Sequence, residues 1–447
     1  MALADVDVEI GGLPAEHRLR IIGDGSVDDD GKPKRTGTVW TASAHIITAV
    51  IGSGVLSLPW SMAQLGWVAG PATLVVFAGV TYYTSVLLTD CYRSGDAVAG
   101  KRNYTYMEAV ESYLGSGQVW FCGLCQYVNL VGTAIGYTIT ASTSATALYK
   151  ANCFHSGGHS ADCGVYTTIN VFSQLPNLHE MAWLSILAAA MSFSYSTIGV
   201  GLSLAQTISG ATGKTTMGGT VIGVDVASSA QKIWLTLQAL GNIAFAYSYS
   251  MVLIEIQDTV RAPPAENKTM RKANLMGVST TTAFYMLCGC LGYAAFGNAA
   301  HGNMLTGFGF YEPFWLIDFA NVCIVVHLVG AYQVYCQPIY AAVESWAAAR
   351  WPGSDFVVRQ YHPFGADRFG VNMFRMVWRT AFVVPLTVYF PVEMYIRQSK
   401  VKRSSWKWVA LQSLSFVCFA VTVGVTVASV QGITQSLKNY VPFKTKL

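Results

Sequence analysis

The 447-residue sequence has little charge, since only 12% of its residues are Asp, Glu, Lys or Arg, while 52% are hydrophobic. Soluble domains carry about 25% charged residues, so an ordinary soluble protein is excluded. A transmembrane helix needs about 20 apolar residues, and the apolar content is enough for about ten crossings. The net charge of +4 is too small to indicate a nucleic-acid partner. Membrane lipid is the expected surrounding, and the predicted fold is an all-α polytopic membrane protein.

Motifs of catalysis and metal binding are also missing. The sequence has no HExxH, no P-loop, no aspartate-rich metal motif and no Gly-x-Ser-x-Gly in a supporting context. We therefore expect no enzyme activity, no metal and no cofactor. A cleavable signal peptide is not visible either, because the first 36 residues are polar and mixed in charge. The first apolar run is then expected to act as its own insertion signal.

Ten apolar segments are found with a window of about 19 residues. Most are long enough to cross a bilayer, but the fourth has only about eleven apolar residues. The segments are Val39–Leu65, Val68–Thr89, Val119–Tyr149, Val165–Leu175, Trp183–Ala205, Ile233–Ile256, Leu275–Phe296, Pro313–Trp346, Phe374–Ile396 and Trp408–Val430.

The basic residues between these segments predict the orientation. Loops rich in Lys and Arg stay in the cytoplasm, and such loops precede the first span, follow the second and follow the sixth. The N-terminus is thus predicted to be cytoplasmic, in a multi-pass protein of the cell membrane. Cys153 and Cys163 then bracket an external loop, where a disulfide could form.

The segment Phe374–Ile396 conflicts with this rule. Basic clusters flank it on both sides, so an even number of crossings is required between them. At about 1.5 Å per residue, the segment is long enough for one crossing and too short for two. Either one basic loop lies on the wrong side, or the segment enters the membrane and returns.

Two spans carry signs of a broken helix. The first contains Gly52, Ser53 and Gly54 in mid-membrane, with Pro59 five residues further on. Such a break commonly lines a site, and the start of the following half-helix would favour a carboxylate. Close helix packing through small residues is the alternative. The sixth span has small and polar residues at 242–250, where a continuous helix fits equally well.

Ionisable residues inside a membrane are costly and are functional candidates by default. His45, Glu255 and Asp318 are the candidates for proton coupling, and each has a plainer interpretation. His45 could be a neutral histidine bonded to a neighbouring helix, and Glu255 could be solvated near a basic loop. His327 is nine residues from Asp318 and points the opposite way on a helix.

A set of motifs runs along the chain, at residues 50–60, 63–67, 176–177, 183–189, 254–258, 292–297, 314–321 and 385–394. Together they closely resemble the plant amino acid permeases of the amino acid/auxin permease family. The resemblance covers Thr36 to Phe443 and implies proton-coupled import of amino acids across the plasma membrane. It implies a leucine-transporter-like fold of eleven helices with two inverted repeats. It also implies that Gly52, Ser53 and Gly54, with Val55, hold the substrate and that Phe245 and Tyr247 border its side chain.

The chain departs from the family pattern between Val384 and Pro385, where about one helix of sequence is missing. We predict a tail at 1–36, a transporter domain at 37–430 and a second tail at 431–447. Within that domain, the repeats are placed at about 37–207 and 231–398, followed by a final helix at 406–430. A shortened isoform with impaired transport and an amino acid sensor without flux remain alternatives. Side-chain preference and oligomeric state are left open.

Overall fold

The computed structural model describes residues 27–28, 30–32, 34–96, 100–156, 182–309, 314–350 and 384–439. These residues form a helical bundle with one two-stranded antiparallel sheet, β1 (Arg93–Ser94) and β2 (Lys101–Arg102). The helices are α1 (Val39–Val50), α2 (Leu58–Asp90), α3 (Tyr106–Leu114), α4 (Ser116–Ser156), α5 (Ala182–Ile208), α6 (Ser229–Ala246), α7 (Leu253–Asp258), α8 (Glu266–Phe296), α9 (Phe314–Arg350), α10 (Phe390–Gln398) and α11 (Trp406–Asn439).

The prediction of a polytopic helical protein is confirmed. Within the described residues, seven helical stretches are long and apolar enough to cross a membrane, and α1 adds a shorter apolar helix. The first and second predicted spans meet at Gly66, whose φ of +79° is open to glycine and interrupts α2. The fourth predicted span, Val165–Leu175, lies outside the described residues.

Helices from the two predicted repeats pack in pairs. The most extensive contacts are those of α4 with α9 and of α2 with α8, while α1 lies along α8. In predicted span numbers, the third pairs with the eighth and the second with the seventh. In both of these pairs the partners are five spans apart, the spacing expected of counterparts in two interlocking repeats.

Glycines on α8 allow its close approach to the first span. A side chain at Gly277 would meet Ile46, one at Gly289 would meet Met62, and one at Gly292 would meet Pro59. Membrane helices gain much of their association from such contacts between small residues. The first span is thus fixed against α8 on both sides of its break.

The segment Phe374–Ile396, which conflicts with the rule of basic loops, is only partly described. From Pro385 to Tyr389 the chain forms a π-turn, which leads into the nine-residue helix α10. Together these 14 residues extend about 20 Å, less than the roughly 30 Å of a bilayer core. Residues 351–383 lie outside the described residues, so the number of crossings here stays a prediction.

Candidate functional site at two helix breaks

The first span is broken where its Gly-Ser-Gly sequence predicts. Helix α1 ends at Val50, and the backbone is extended at Gly52, with φ −128° and ψ −154°. A short 3₁₀ helix, Ser53–Ser57, then leads into α2. The N–H groups of Ser53 and Gly54 begin this second half and have no hydrogen-bond partner among the described residues. Such a helix start favours a negatively charged group.

A second break lies opposite, in the sixth span. Helix α6 ends at Ala246, and the chain is not helical again until the 3₁₀ turn Ser250–Val252. No glycine or proline marks this break in the sequence. Two tyrosines hold it instead, because the Tyr247 hydroxyl lies 3.1 Å from Thr282 Oγ1 and the Tyr249 hydroxyl 3.3 Å from Asn274 Oδ1. Contacts with α8 therefore outweigh the local preference for a continuous helix.

The two breaks touch each other. A Cβ atom at Gly54 would lie only 3.2 Å from the Cα atom of Ala246. Tyr285 of α8 joins them further, since its hydroxyl lies 2.6 Å from the carbonyl oxygen of Val50 and 3.1 Å from that of Ala246. A break frees carbonyl groups from the helix, and a buried carbonyl without a donor is costly. One tyrosine thus serves a freed carbonyl on each side.

A small cavity lies between the breaks. Its volume is about 20 Å³, roughly the room that one water molecule needs. An amino acid would therefore enter only after the surrounding helices move. The lining residues come from both breaks and from α4: Ala49, Val50, Gly52, Ser53, Gly54, Asn129, Thr133, Tyr137, Phe245, Ala246, Ser248 and Met251.

The contribution of α4 was missed at the level of sequence. Asn129, Thr133 and Tyr137 follow one another at intervals of four, so they share one face of the helix. Thr133 donates a hydrogen bond to Asn129 Oδ1 at 3.3 Å, and the buried Asn129 Nδ2 has no partner among the described residues. The polar spacing inside an apolar span was the signal that could have found this face.

The residues predicted to bind substrate separate into two groups. Gly52, Ser53, Gly54 and Phe245 line the cavity. Val55 is buried and lies outside that lining. Tyr247 also lies outside it, because its hydroxyl is turned to Thr282 on α8.

His45 is not brought to the cavity. The buried face of α1 consists of Ala42, Ser43, Ile46 and Val50, whereas His45 is exposed. In an unbroken helix, the seven-residue spacing would place His45 on the same face as Gly52. Because the helix ends at Val50, the helical period does not extend to Gly52.

Glu255 and Asp318 lie away from the breaks. The Glu255 carboxylate accepts a hydrogen bond at 3.4 Å from the backbone N–H of Tyr106, in the first turn of α3. The Asp318 carboxylate accepts one at 3.0 Å from the Asn152 side chain and so joins α9 to α4. Neither group lines the cavity.

The predicted disulfide is partly described. Cys153 is disulfide-bonded, whereas Cys163 lies outside the described residues. The pairing of these two residues stays a prediction.

Ion pairs connect the chain segments at the end of the bundle that carries residues 27–37, which we call the N-side face. The guanidinium of Arg35 contacts Asp28 at 3.0 Å, Asp30 at 2.8 Å and Asp258 at 2.8 Å. Asp258 also accepts a 2.5 Å hydrogen bond from the hydroxyl of Tyr92. The N-terminal segment is thereby fastened to the end of the sixth span.

A second buried set of ion pairs continues this cluster. Glu266, at the start of α8, contacts Arg93 at 2.7 Å and Arg102 at 2.9 Å, and Arg102 also contacts Asp30 at 3.2 Å. Both arginines belong to the small sheet β1–β2. The loop after the second span is therefore tied to both the N-terminal segment and α8.

The negative charge of Asp30 in this cluster is stable to ordinary changes of pH. Burial would raise the pKa of Asp30, but the hydrogen bond and charge of Arg35 hold it well below its usual value. Burial and the charge of Asp30 raise the pKa of the Tyr104 hydroxyl to about 12. Because the pKa of Asp30 is lowered on folding, its contribution is present above about pH 4 and is lost as the pH falls further.

Comparison with known proteins finds a matching family. A family described as transmembrane amino acid transporter protein matches residues 35–385. Amino acid permease 6 of Arabidopsis thaliana is 57% identical over 455 residues, covering 93% of this chain and 94% of the relative. Amino acid permease 1 of the same plant is 54% identical over 457 residues, covering 94% of each.

Solved structures show the same fold at much lower identity. The transporter Mhp1 in an inward-facing conformation is 12% identical with a TM-score of 0.50, over 92% of this chain and 93% of that one. MhsT in complex with L-phenylalanine is 10% identical with a TM-score of 0.50, over 89% of this chain and 100% of that one. The leucine-transporter-like fold is therefore confirmed. The chain belongs to the transmembrane amino acid transporter family, among the plant amino acid permeases, and is a multi-pass membrane protein of amino acid transport rather than an enzyme.

Proposed function

We propose that this chain is a proton-coupled symporter that imports amino acids across the plasma membrane by alternating access, with its N-terminus in the cytoplasm. The observation that carries the proposal is the pair of facing helix breaks around one cavity. Paired breaks of this kind form substrate sites at the midplane of transporters with inverted repeats. The printed names of the relatives, amino acid permeases, favour an amino acid as the substrate.

The first break suits the carboxylate of an amino acid. The N–H groups of Ser53 and Gly54 start a half-helix and are without partners among the described residues. The positive end of a helix stabilises an anion at that position. Phe245, across the cavity, is placed to contact the substrate's side chain.

Alternating access requires the cavity to open to one side at a time. At about 20 Å³ it is too small for an amino acid, so this structure resembles a closed state between the two openings. On the N-side face, the cluster around Arg35 binds the N-terminal segment to α7. That contact is a barrier which must loosen for release into the cytoplasm.

The coupling ion is proposed to be the proton, with no other cofactor. Glu255 and Asp318 remain candidates because ionisable groups in membrane spans are usually functional. Each lies at a contact between helices: Glu255 of α7 contacts α3, and Asp318 of α9 contacts α4. A change of charge at either residue would alter the helix packing there. His45 is the third candidate, although its exposed position leaves it without a described route to the cavity.

Uptake of a radiolabelled neutral amino acid by cells that produce the protein tests this function. We expect faster uptake at an external pH of about 5.5 than at about 7.5, and loss of concentrative uptake when a protonophore removes the gradient. Uptake that ignores the proton gradient would contradict coupling. Absence of uptake, with the protein present at the cell surface, would contradict transport.

A shortened chain with impaired transport is the second candidate, and two observations favour it. The family match ends at residue 385, beside the junction where we expect sequence to be missing. The alignment with amino acid permease 6 spans 455 positions, more than the 447 residues of this chain, so this chain has gaps against it.

An insertion separates the two candidates. A helix-length apolar segment placed between Val384 and Pro385 should lower uptake if the chain is competent as it stands, because one added crossing would invert the helices that follow. Rescue of a weak uptake would instead identify the shortened chain as impaired. An amino acid sensor would bind substrate in both forms without flux.

A further inference from the structure

A histidine lies directly behind the first break and faces the cavity wall. His327 of α9 is only 4% exposed. A Cβ atom at Gly52 would lie 4.0 Å from His327 Nε2 and 3.8 Å from the hydroxyl of Tyr137. Gly52 and Tyr137 both line the cavity. Gly52 has no side chain, so only its backbone lies between the edge of the imidazole ring and the cavity.

A second contact fixes the tautomer of this histidine. His327 Nδ1 lies 2.7 Å from the carbonyl oxygen of Ala188 on α5. A carbonyl only accepts hydrogen bonds, so Nδ1 carries the proton. In a neutral imidazole Nε2 is then an acceptor. Within the described part of the chain, no carboxylate pairs with His327 to favour the charged form.

The Nε2 atom has no hydrogen-bond partner among the described residues. Buried polar groups are nearly always paired, so an unpaired acceptor at the edge of a site calls for a donor that arrives there. An amino acid brings such a donor in its α-ammonium group. Two carbonyl oxygens nearby already have donors, because the Tyr285 hydroxyl shares its hydrogen between Val50 and Ala246 and the Gly52 N–H also bonds to Val50.

We propose that His327 Nε2 accepts a hydrogen bond from the α-ammonium group of the bound amino acid. The proposal rests on the proposed function, since it takes an amino acid as the substrate. In this arrangement the carboxylate is held by the N–H groups of the first break, and the ammonium group by the imidazole behind Gly52. The two ends of the backbone are recognised from two different helices.

The first test uses the unaltered protein and three competitors of labelled amino acid uptake. These are the amino acid itself, its N,N,N-trimethyl derivative, which keeps the charge but has no N–H, and the carboxylic acid without the amino group. A site with a buried acceptor rejects an analogue that lacks the donor. We expect both analogues to compete at least about tenfold more weakly than the parent. Equal competition by the trimethyl derivative would overturn the proposal.

The second test compares two variants at the same position. In His327→Asn, the amide nitrogen can keep the bond to Ala188 but nothing reaches the position of Nε2. In His327→Gln, the longer side chain restores an acceptor near that position. We expect His327→Asn to weaken competition by the parent amino acid about tenfold, to leave the des-amino acid unchanged, and to be partly rescued in His327→Gln.

These outcomes separate the inference from the proposed function. Equal weakening of the parent and the des-amino acid in His327→Asn would indicate a purely structural histidine and contradict the inference. An unaltered protein that takes up no amino acid would contradict the proposed function instead. Should neither variant reach the membrane, the competitor series on the unaltered protein decides the matter.

Discussion

At the residue scale, the site depends on side chains that are absent or small. Gly54 packs against Ala246 with little room for a larger residue, and a side chain at Gly52 would approach His327 Nε2 to 4.0 Å. The small residues therefore let the two broken backbones meet around one cavity. Small residues at helix contacts permit this approach in membranes generally.

Replacement of Gly54 by valine tests that contact. The added carbons would press on Ala246 and separate the breaks, and overpacking of this kind costs about 1–3 kcal/mol. We expect the KM of uptake to rise by a factor between about 5 and about 150, by the usual conversion of about 1.4 kcal/mol to a factor of ten.

Gly79→Val is the matched control. Gly79 also lies in an apolar helix, but nothing stands within 4 Å of the place its Cβ would take. The KM of uptake by the Gly79→Val variant should match that of the unaltered protein. Equal KM values for the two variants, at equal surface amounts, would show that the contact with Ala246 has no role in binding.

Sequence reasoning found some of these residues and missed others for a physical reason. Gly52, Ser53 and Gly54 were found because glycine weakens a helix locally, whatever surrounds it. Asn129 was missed, and His327 was noted without a role, because the part that each plays depends on which helix it faces. A single sequence does not contain that information.

At the element scale, the second break is held by its neighbours. Tyr247 and Tyr249 are anchored on α8, and Tyr285 of α8 serves a carbonyl on each side. Residues 242–250 could be read equally well as a continuous helix, because no local breaker was present. Tertiary hydrogen bonds decided between the two, as they often do when propensity is weak.

Tyr285→Phe removes the shared hydroxyl and leaves the ring. The carbonyl of Ala246 then loses this donor, which costs about 1–3 kcal/mol for a buried group, while the carbonyl of Val50 keeps the N–H of Gly52. We expect a rise in KM together with a fall in maximal uptake, because the relative position of the two breaks is no longer fixed.

Tyr293→Phe, on the same helix, provides the comparison. Its hydroxyl bonds to Thr216 and Asn298 rather than to either break. A similar loss of thermal stability in both variants, with KM raised only in Tyr285→Phe, is the expected pattern. A Tyr285→Phe protein with unchanged kinetics would contradict the bridging role.

At the scale of the whole molecule, the N-side face is closed by ion pairs among three segments that are distant in sequence. Arg35 is almost buried and holds Asp28, Asp30 and Asp258 together. Removal of one partner from a buried cluster leaves uncompensated charge and is strongly destabilising. Exposed pairs contribute much less.

Arg35→Ala should therefore loosen the N-terminal segment. We expect amide hydrogen exchange in peptides covering residues 34–37 and 258–261 to rise at least about tenfold, since the repelling carboxylates lose their counter-ion. Arg271→Ala removes a half-exposed pair with Asp90 and should leave these peptides unchanged. Unchanged exchange in Arg35→Ala would refute the role of the cluster as a closure.

Much of the global architecture could be predicted from the sequence, because the bilayer imposes length and hydropathy on each span. Eight predicted spans coincide with described helices. The conflict around Phe374–Ile396 arose from the same rules. Its resolution depends on residues 351–383, which lie outside the described residues, and on whether sequence is missing after Val384.

The central claim is that an amino acid binds between the two helix breaks. An experimental structure of the protein with a bound amino acid tests it most directly. We predict the carboxylate about 3 Å from the N–H groups of Ser53 and Gly54, the side chain toward Phe245, and the ammonium group toward His327. An amino acid bound elsewhere, or a continuous helix through Gly52, would contradict the account.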